Sequence, residues 1–217
     1  MVVNSTSEKR PRGRPQVRAD EETRGIIIEA ANAQFQACGY ASASINVMAQ
    51  QAGVSTKTLY RLFPTKGDLF TSVVADRIDR FFVALDQPSL AAASLQEGLE
   101  RLLTVYGMLT LSPETITMTR LVVGESDRFP EIASAFYQRA ILPTNEAMEA
   151  WLRRQCDAGR IALEDVHAAC GMLRGMMIME PQRTAMLGQG QPPGGSAIAE
   201  RAKACAALFL KGCKVEA

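Results

Sequence analysis

This sequence of 217 residues has few of the groups that enzymes use. It contains one histidine and five cysteines, and it has no phosphate-binding glycine loop and no recognisable nucleophile motif. Catalysis needs reactive side chains that converge on one point, and metal sites need clustered ligands. The sequence therefore argues against an enzyme, and it predicts neither a metal nor a cofactor.

The cysteines and the apolar runs indicate the compartment. The cysteines are odd in number, and their positions, 38, 156, 170, 205 and 213, lack the short paired spacings of zinc or redox motifs. No apolar run reaches the roughly 18 residues that a membrane span needs, and no apolar segment follows the charged N-terminus as in a secretory signal. We therefore expect a protein of the reducing cytoplasm with no membrane contact.

Net charge is also small, but it is unevenly distributed. The formal charge is +1, with 11 Lys or Arg against 8 Asp or Glu in residues 1–80 and 13 against 15 in residues 81–217. Within residues 1–18, five basic side chains face only Glu8. This excess favours a polyanionic partner such as nucleic acid, and the alternative is a solvated tail without a function.

Residues 1–18 are rich in Ser, Arg, Pro and Gly, which predicts a disordered basic arm. The segment Arg12-Gly13-Arg14-Pro15 resembles the core of an AT-hook, an extended peptide that places arginines in the narrow minor groove of A/T-rich DNA. We therefore expect Arg12 and Arg14 to reach the minor groove.

Hydrophobic periodicity predicts helices along the rest of the chain, and no segment shows the alternation of apolar and polar residues that is typical of a strand. The predicted helices are 20–38, two short ones within 44–63, one from a Thr65–Asp68 capping box to Pro88, 94–111, 113–124, one from Pro130 to Gly159 with an interruption at Pro143, 163–187 and 196–212. The predicted fold class is all-α.

Segment 44–63 predicts a helix-turn-helix. Gly53 lies where the chain must reverse, and Ser55 follows as the N-cap of the second helix. The outward side chains suit phosphate oxygens and base edges, and they are Thr56, Lys57, Thr58, Tyr60 and Arg61. The segment therefore predicts a helix that reads DNA in the major groove.

With its flanks, this segment resembles the TetR (tetracycline-repressor) family of bacterial regulators. The elements Gly-Tyr, Ala-Gly-Val-Ser, Leu-Tyr-x-x-Phe and Lys-Gly-Asp-Leu occur in register over roughly 50 residues. A shorter stretch, RLVVGESDRFPEIA with Phe136-Tyr137 after it, resembles the C-terminal domain of the AefR-like subgroup.

The resemblance implies a domain organisation and a function. Residues 19–65 would form the helix-turn-helix DNA-binding domain, and 66–217 a helical domain for effector binding and dimerisation. A homodimer formed through 163–187 and 196–212 would read a palindromic operator, since a twofold axis relates its two recognition helices. A small apolar or amphipathic effector would release this cytoplasmic, nucleoid-associated bacterial repressor from its operator.

The helix-turn-helix and its flanks predict the DNA-binding residues, and the apolar pocket that the resemblance implies in the body gives the effector-binding candidates. The DNA-binding set is Arg12, Arg14, Ser44, Ser55, Thr56, Lys57, Thr58, Tyr60, Arg61 and Lys66, of which Ser44 and Lys66 are expected to hold phosphate from helix starts. The effector-binding candidates are Tyr106, Arg120, Glu125, Phe136, Trp151, His167, Arg174 and Met176. Each of these has a structural alternative, either core filling or pairing with another polar group, because an unpaired buried polar group costs about 1–3 kcal/mol.

A different class of DNA-binding protein stays open at this point. The basic arm and the helix-turn-helix also fit an architectural, A/T-preferring protein without effector control. The large body argues against it, because coating or bending DNA does not require some 130 residues of apolar helix.

Overall fold

The computed structural model describes residues 19–85 and 94–213, and every regular element in these ranges is helical. The α-helices are α1 (Asp20–Ser42), α2 (Ile45–Gln51), α3 (Thr56–Leu62), α4 (Lys66–Leu85), α5 (Leu95–Thr110), α6 (Pro113–Glu125), α7 (Pro130–Phe136), α8 (Leu142–Asp157), α9 (Val166–Met186) and α10 (Gly195–Gly212). A π-helical segment, Tyr137–Ile141, joins α7 to α8. The predicted all-α fold class is confirmed, whereas the basic arm, 1–18, lies outside the described residues.

Local sequence signals set several helix ends. Ser55 accepts a hydrogen bond from the Thr58 backbone N–H and caps α3, as expected. At the start of α4, the Asp68 N–H donates to Thr65 Oγ1 at 3.0 Å and the Thr65 N–H donates to Asp68 Oδ2 at 3.1 Å. The predicted capping box is therefore present. Asp165 caps α9, which begins at Val166 rather than at 163.

The break in α1 falls at Gly39, where the sequence predicts a helix end. Gly39 has φ 77° and ψ 173°, a conformation that essentially only glycine adopts. One further turn, through Ser42, follows the break. The break lets the chain leave the helix axis of α1 and present new backbone N–H groups to a neighbouring helix.

The predicted interruption at Pro143 takes the form of the π-helical segment just before it. Proline has no N–H to give to a preceding carbonyl. The Leu142 N–H donates to the Tyr137 carbonyl, five residues back, and the chain stays helical to Asp157. The wider turn accommodates the proline without ending the helix.

The helices enclose two apolar cores. The first lies among α1 to α4 and includes side chains from α6 and α7, whereas the second lies among α5, α8, α9 and α10. Helix α4 contributes to both, with Phe70 in the first core and Phe81 in the second. The DNA-binding unit is therefore packed directly against part of the body, and the domain boundary between 65 and 66 stays a prediction.

Pro181 lies inside α9 and removes a backbone donor from the helix. The Met177 carbonyl, four residues back, loses its usual partner. Arg201 of α10 donates from Nε to that carbonyl at 2.8 Å and from Nη2 to the Met176 carbonyl at 2.9 Å. Arg201 thus supplies the missing donor and binds α10 to α9.

We expect Arg201→Ala to lower the free energy of unfolding by about 1–3 kcal/mol, because it leaves the Met177 carbonyl without a partner. Urea denaturation followed by circular dichroism measures the change. Lys203→Ala is the matched control on the same helix, since Lys203 is exposed, and it should change stability by less than about 0.5 kcal/mol. Equal effects of the two substitutions would contradict this role for Arg201.

Candidate functional site

Helix α3 presents one exposed polar face. Its apolar side chains, Leu59 and Leu62, are buried against the rest of the helix-turn-helix. Gly53 forms the turn before α3 with φ 65°. The side chains left in solvent are Thr56, Lys57, Tyr60 and Arg61, with Tyr60 half exposed. Their spacing places them on one side of the helix, which is the geometry that enters a major groove.

Two of the predicted DNA-binding side chains are bonded to each other. The Ser55 and Thr58 hydroxyl oxygens are 2.9 Å apart, and Ser55 Oγ accepts the Thr58 N–H at 3.0 Å. These hydroxyls hold the start of α3 together. Their remaining hydrogen-bonding capacity is directed to solvent, because Ser55 is exposed.

Arg61 makes a bidentate ion pair with Asp20 at the start of α1. Its Nη1 and Nη2 donate to the two carboxylate oxygens at 2.8 and 2.7 Å. The hydrogen bond from Arg61 lowers the pKa of Asp20 below its usual value. Both side chains are exposed, so phosphate can replace the carboxylate as the partner of Arg61.

The flanking phosphate candidates differ in their surroundings. Ser44 is the N-cap residue of α2, and its side chain makes no capping hydrogen bond. Lys66 donates from Nζ to the Ala41 carbonyl at 3.1 Å and lies 4.8 Å from the centre of the Tyr40 ring. Desolvation lowers the pKa of Lys66. Arg12 and Arg14 lie outside the described residues.

A cavity of about 960 Å³ lies between the DNA-binding unit and the body. Its wall is formed by α1, α4, α5, α6, α8 and α9, together with Phe136 of α7 and the π-helical segment. Ile28, Glu29 and Asn32 of α1 belong to this wall, so the cavity reaches the DNA-binding unit itself. The volume lies within the range of small-molecule sites.

Most charges on the cavity wall have partners on the wall. Arg77 of α4 donates from Nε to Thr115 Oγ1 at 2.9 Å, and its Nη2 lies 3.1 Å from Glu114 Oε2. Arg80 pairs in the same way with Asp76 at 2.8 Å and with Glu29 at 3.7 Å. The Arg77 contacts join α4 to the start of α6.

Three of the predicted effector-binding side chains line the cavity, and they are Tyr106, Phe136 and Arg174. The Tyr106 side chain is largely buried, but its hydroxyl oxygen stays accessible and makes no hydrogen bond to any described residue. Burial raises the pKa of Tyr106 to about 12, although the Arg174 charge acts in the opposite direction. Tyr106 therefore keeps its proton at neutral pH and can act as a donor.

The other five candidates do not line the cavity. Arg120 donates to the carbonyls of Ala185 and Met186, both at 3.0 Å, and so caps the end of α9. Trp151 is buried in the second core, where a Cβ built on Gly98 would come within 3.1 Å of its ring. Met176 packs against the same core. These side chains have structural roles that account for them.

His167 pairs with a buried carboxylate outside the cavity. His167 Nδ1 lies 2.7 Å from Glu149 Oε1, while Arg153 Nη2 donates to Glu149 Oε2 at 2.7 Å. The His167 side chain itself is 76% exposed. Two partners therefore satisfy the Glu149 carboxylate, and His167 sits at the surface.

Glu125 bridges the body and the DNA-binding unit. Its Oε1 accepts the Tyr40 backbone N–H at 2.9 Å, and its Oε2 accepts the Ala41 N–H at 2.8 Å. These are the N–H groups that the break at Gly39 releases from α1. A Cβ built on Gly39 would lie only 2.6 Å from Glu125 Oε1. We call this contact the Glu125 link.

Sequence reasoning missed Arg77 and the α1 part of the wall. Arg77 follows Val73 and Val74 by one helical turn, so it lies on the apolar stripe of α4, and a charge within such a stripe is a signal. No comparable signal marks Asn32 of α1, because the contact between that face of the helix and the body depends on the tertiary packing of distant segments.

Helices α9 and α10 carry exposed apolar side chains. Met172 and Met179 of α9, Leu187 after it and Leu208 of α10 are each more than half exposed. Single exposed apolar residues are ordinary, but these four lie on or directly after two helices that pack together, which favours a contact with a partner.

Two further kinds of site are absent from ranges 19–85 and 94–213. No helix there is long and apolar enough to cross a membrane. In the same ranges, no cluster of three His, Cys, Asp or Glu side chains has the arrangement of a metal site.

Two family models match the chain. Residues 27–73 match the model for bacterial regulatory proteins of the tetR family. Residues 97–212, more than half of the chain, match the model for the C-terminal domain of AefR-like transcriptional repressors. The two matches cover both the helix-turn-helix and the body.

Known proteins extend this likeness. The chain is 28% identical over 135 residues to the HTH-type transcriptional repressor KstR of Mycolicibacterium smegmatis, a match that covers 57% of this chain and 65% of KstR. It therefore spans less than two thirds of that relative. A solved TetR-family protein from Mesorhizobium loti superposes with a TM-score of 0.79 at 24% identity, over 92% of this chain and all (100%) of that one. The flavonoid-responsive regulator FrrA superposes with a TM-score of 0.73 at 27% identity, over 91% of this chain and 100% of FrrA.

Proposed function

We propose that this chain, which belongs to the TetR family of bacterial transcriptional regulators, is a homodimeric repressor. A small-molecule effector would release it from a palindromic operator. Members of this family bind DNA, form dimers and bind small-molecule effectors. The proposal adds the sign of regulation, the symmetry of the operator and the sites in this chain.

The exposed face of α3 supports the DNA-binding assignment. Thr56, Lys57, Tyr60 and Arg61 would contact base edges and phosphates in the major groove, and Ser55 and Thr58 would hold the helix start near the backbone. Ser44 and Lys66 would bind flanking phosphates, and Lys66 would have to leave the Ala41 carbonyl to do so. Arg12 and Arg14 would extend the contact into the minor groove.

The exposed apolar surface on α9 and α10 supports dimerisation through these helices. A second copy would bury Met172, Met179, Leu187 and Leu208 around a twofold axis. Two recognition helices related by that axis would read two half-sites, which gives higher affinity and a palindromic operator.

The main support for effector control is that residues of both the DNA-binding unit and the body form the cavity wall. A ligand in the cavity would touch α1 of the DNA-binding unit and α5, α6 and α9 of the body at once. Such a ligand can favour one relative position of the DNA-binding unit and the body. If that position binds the operator less well, the bound ligand lowers operator affinity, and the bound operator lowers ligand affinity by the same factor. FrrA, which has a similar fold, responds to flavonoids, and this supports a largely apolar effector of about the size of a flavonoid.

Selection of genomic fragments by the purified protein tests this function. Binding to the enriched sequence and to a scrambled control is then measured at two salt concentrations. A palindrome bound far more tightly than the control supports a sequence-specific dimeric regulator. Equal and steeply salt-dependent binding to both would favour an architectural, A/T-preferring protein instead.

We expect Lys57→Ala to weaken binding to the selected operator about tenfold or more, since a hydrogen bond to a charged group contributes about 1.5–3 kcal/mol. If Lys57 contacts phosphate, the slope of log affinity against log salt concentration should also become shallower by about one, because one fewer counterion is released on binding. Fluorescence anisotropy with labelled operator measures both quantities. Arg154→Ala removes the same charge from an exposed position of α8 and serves as the control. Operator affinity that matches the control would remove Lys57 from the interface.

A further inference from the structure

One basic side chain on the cavity wall has no acidic partner in the part of the chain that the structure describes. The carboxylates on the wall, Glu29, Asp76 and Glu114, each lie within ion-pair distance of Arg77 or Arg80. Among the described residues, no carboxylate lies within that distance of the Arg174 guanidinium. Arg174 Nε donates to the Cys170 carbonyl of its own helix at 3.3 Å. The terminal nitrogens of Arg174 therefore keep donors free for another group.

Arg174 also has open space around it. Gly171 and Gly175 flank it on α9, and all three line the cavity. A Cβ built on Gly175 would have no atom within 4 Å, and one built on Gly171 would meet only Arg174 Nη2, at 3.7 Å. The two glycines leave room beside the guanidinium for a ligand group.

Tyr106 of α5 supplies a second donor to the same region. Its side chain is buried on the cavity wall, and its hydroxyl has no hydrogen-bond partner among the described residues. The charge of Arg174 acts on the ionisation of Tyr106, so the two groups are electrostatic neighbours. No fully buried side-chain N or O atom of the described residues lacks a hydrogen-bond partner, so the Tyr106 hydroxyl is accessible and can donate to a ligand acceptor.

Much of the remaining wall is apolar. Leu109 of α5, Met118 of α6, Phe136 of α7 and Ile178 of α9 contribute side chains to it. A cation and a hydroxyl donor within such a wall match a ligand that has one anionic group on an apolar body. A carboxylate fits both donors, because it accepts paired N–H bonds from a guanidinium and a further bond from a hydroxyl.

We propose that Arg174 and Tyr106 form an anion subsite of the effector cavity, and that the effector is an apolar monocarboxylate. The Arg174 guanidinium binds the carboxylate and the Tyr106 hydroxyl donates to it, while the apolar body fills the rest of the cavity. This inference rests on the proposed effector control and names the chemical class of the effector. It also gives α9, the helix proposed for the dimer contact, a direct bond to the ligand.

Calorimetry with matched probes tests the subsite on the full-length protein. The probes are decanoate against 1-decanol and 2-naphthoate against 2-naphthalenemethanol, so that each pair differs in the charged group. We expect at least one carboxylate to bind tenfold or more tightly than its alcohol. Equal affinities within both pairs, or no binding by either carboxylate, would overturn the proposal.

Single substitutions test whether Arg174 and Tyr106 cause the preference for a carboxylate over its alcohol. Arg174→Gln should reduce the ratio of carboxylate to alcohol affinity at least tenfold, and Arg174→Lys should restore part of it. Tyr106→Phe removes only the hydroxyl and should reduce the ratio about threefold to tenfold. Arg154→Gln removes the same charge from an exposed position outside the cavity and is the control. A ratio in Arg174→Gln equal to that of Arg154→Gln would overturn the assignment, and thermal unfolding of each variant verifies that it is folded.

Operator binding separates this inference from the proposed function. Probe binding is measured without DNA, and release from the selected operator is measured separately. Alcohols that bind and release the operator as well as the carboxylates do would leave effector control standing and overturn the anion subsite. A carboxylate preference that depends on Arg174 in a protein with no sequence-specific DNA binding would support the subsite and overturn the repressor function.

Discussion

Replacing Gly39 with alanine is expected to lower the free energy of unfolding by about 3 kcal/mol, and the melting temperature by about 6–12 °C for a chain of this size. Gly39 has φ 77° and ψ 173°, which alanine adopts only at a high energetic cost. The new Cβ would also lie 2.6 Å from Glu125 Oε1. The carboxylate would have to move, and the Glu125 link would be lost with it.

Gly25→Ala provides the matched control for this experiment. Gly25 lies in the same helix, and a Cβ built on it would have no atom within 4 Å. Alanine is favoured over glycine inside a helix by roughly 0.5–1 kcal/mol, so this substitution should stabilise the protein. The two glycines of α1 should thus respond with opposite signs in differential scanning calorimetry. A Gly39→Ala protein as stable as wild type would show that α1 does not need the break.

The second large effect is expected from Glu125→Ala, and it concerns the response to effector. In the proposed function, cavity binding reaches the DNA-binding unit partly through α6, whose last residue holds the Tyr40 and Ala41 N–H groups. Allosteric coupling factors are typically about 5–150-fold. Without the Glu125 link, we expect the factor by which an effector weakens operator binding to fall to about two- or threefold.

Operator titrations with and without a bound carboxylate measure this factor. Glu125→Gln keeps one carbonyl acceptor for the backbone and should retain an intermediate response. Glu146→Ala removes an exposed carboxylate of α8 and is the control. A Glu125→Ala protein with the full wild-type coupling factor would show that the response travels by other contacts, such as those of Arg77 between α4 and α6.

Stability measurements on the same variants test whether Gly39 and Glu125 act together. Gly39→Ala already displaces the carboxylate in our interpretation, so Glu125→Ala should add little to it. The double variant should therefore be more stable than the sum of the two single effects predicts, by about 1–2 kcal/mol. Additive effects would mean that the strain at Gly39 and the Glu125 link are independent.

The parts of the structure that depend on neighbouring residues in the chain were predictable. The turn at Gly53, the cap at Ser55 and the capping box between Thr65 and Asp68 each need partners within a few residues. Helical periodicity depends on the same short range, and it placed all the helices of the body to within a few residues. The exposed face of α3 followed from that periodicity, because the apolar positions of a helix define the opposite side.

The effector candidates show where this reasoning ends. A polar side chain in an apolar helix needs a partner. On that ground the sequence identified Tyr106, Arg120, Glu125, His167 and Arg174. The partners of Arg120 lie 65 and 66 residues away, and those of Glu125 lie 84 and 85 residues away. Periodicity tells which face of a helix is buried, but it does not tell which group of another helix meets that face.

The sequence alone determined that this chain is an all-helical protein with a DNA-reading helix-turn-helix, since both properties follow from local patterns and from the family's motif. The tertiary structure alone decided that α1 contributes to the cavity wall, that Glu125 binds the backbone released at Gly39, and that Arg174 meets no carboxylate within ranges 19–85 and 94–213. These three facts depend on how helices distant in sequence pack together. Side-chain shape and long-range contact determine that packing, and neither can be read from residue spacing.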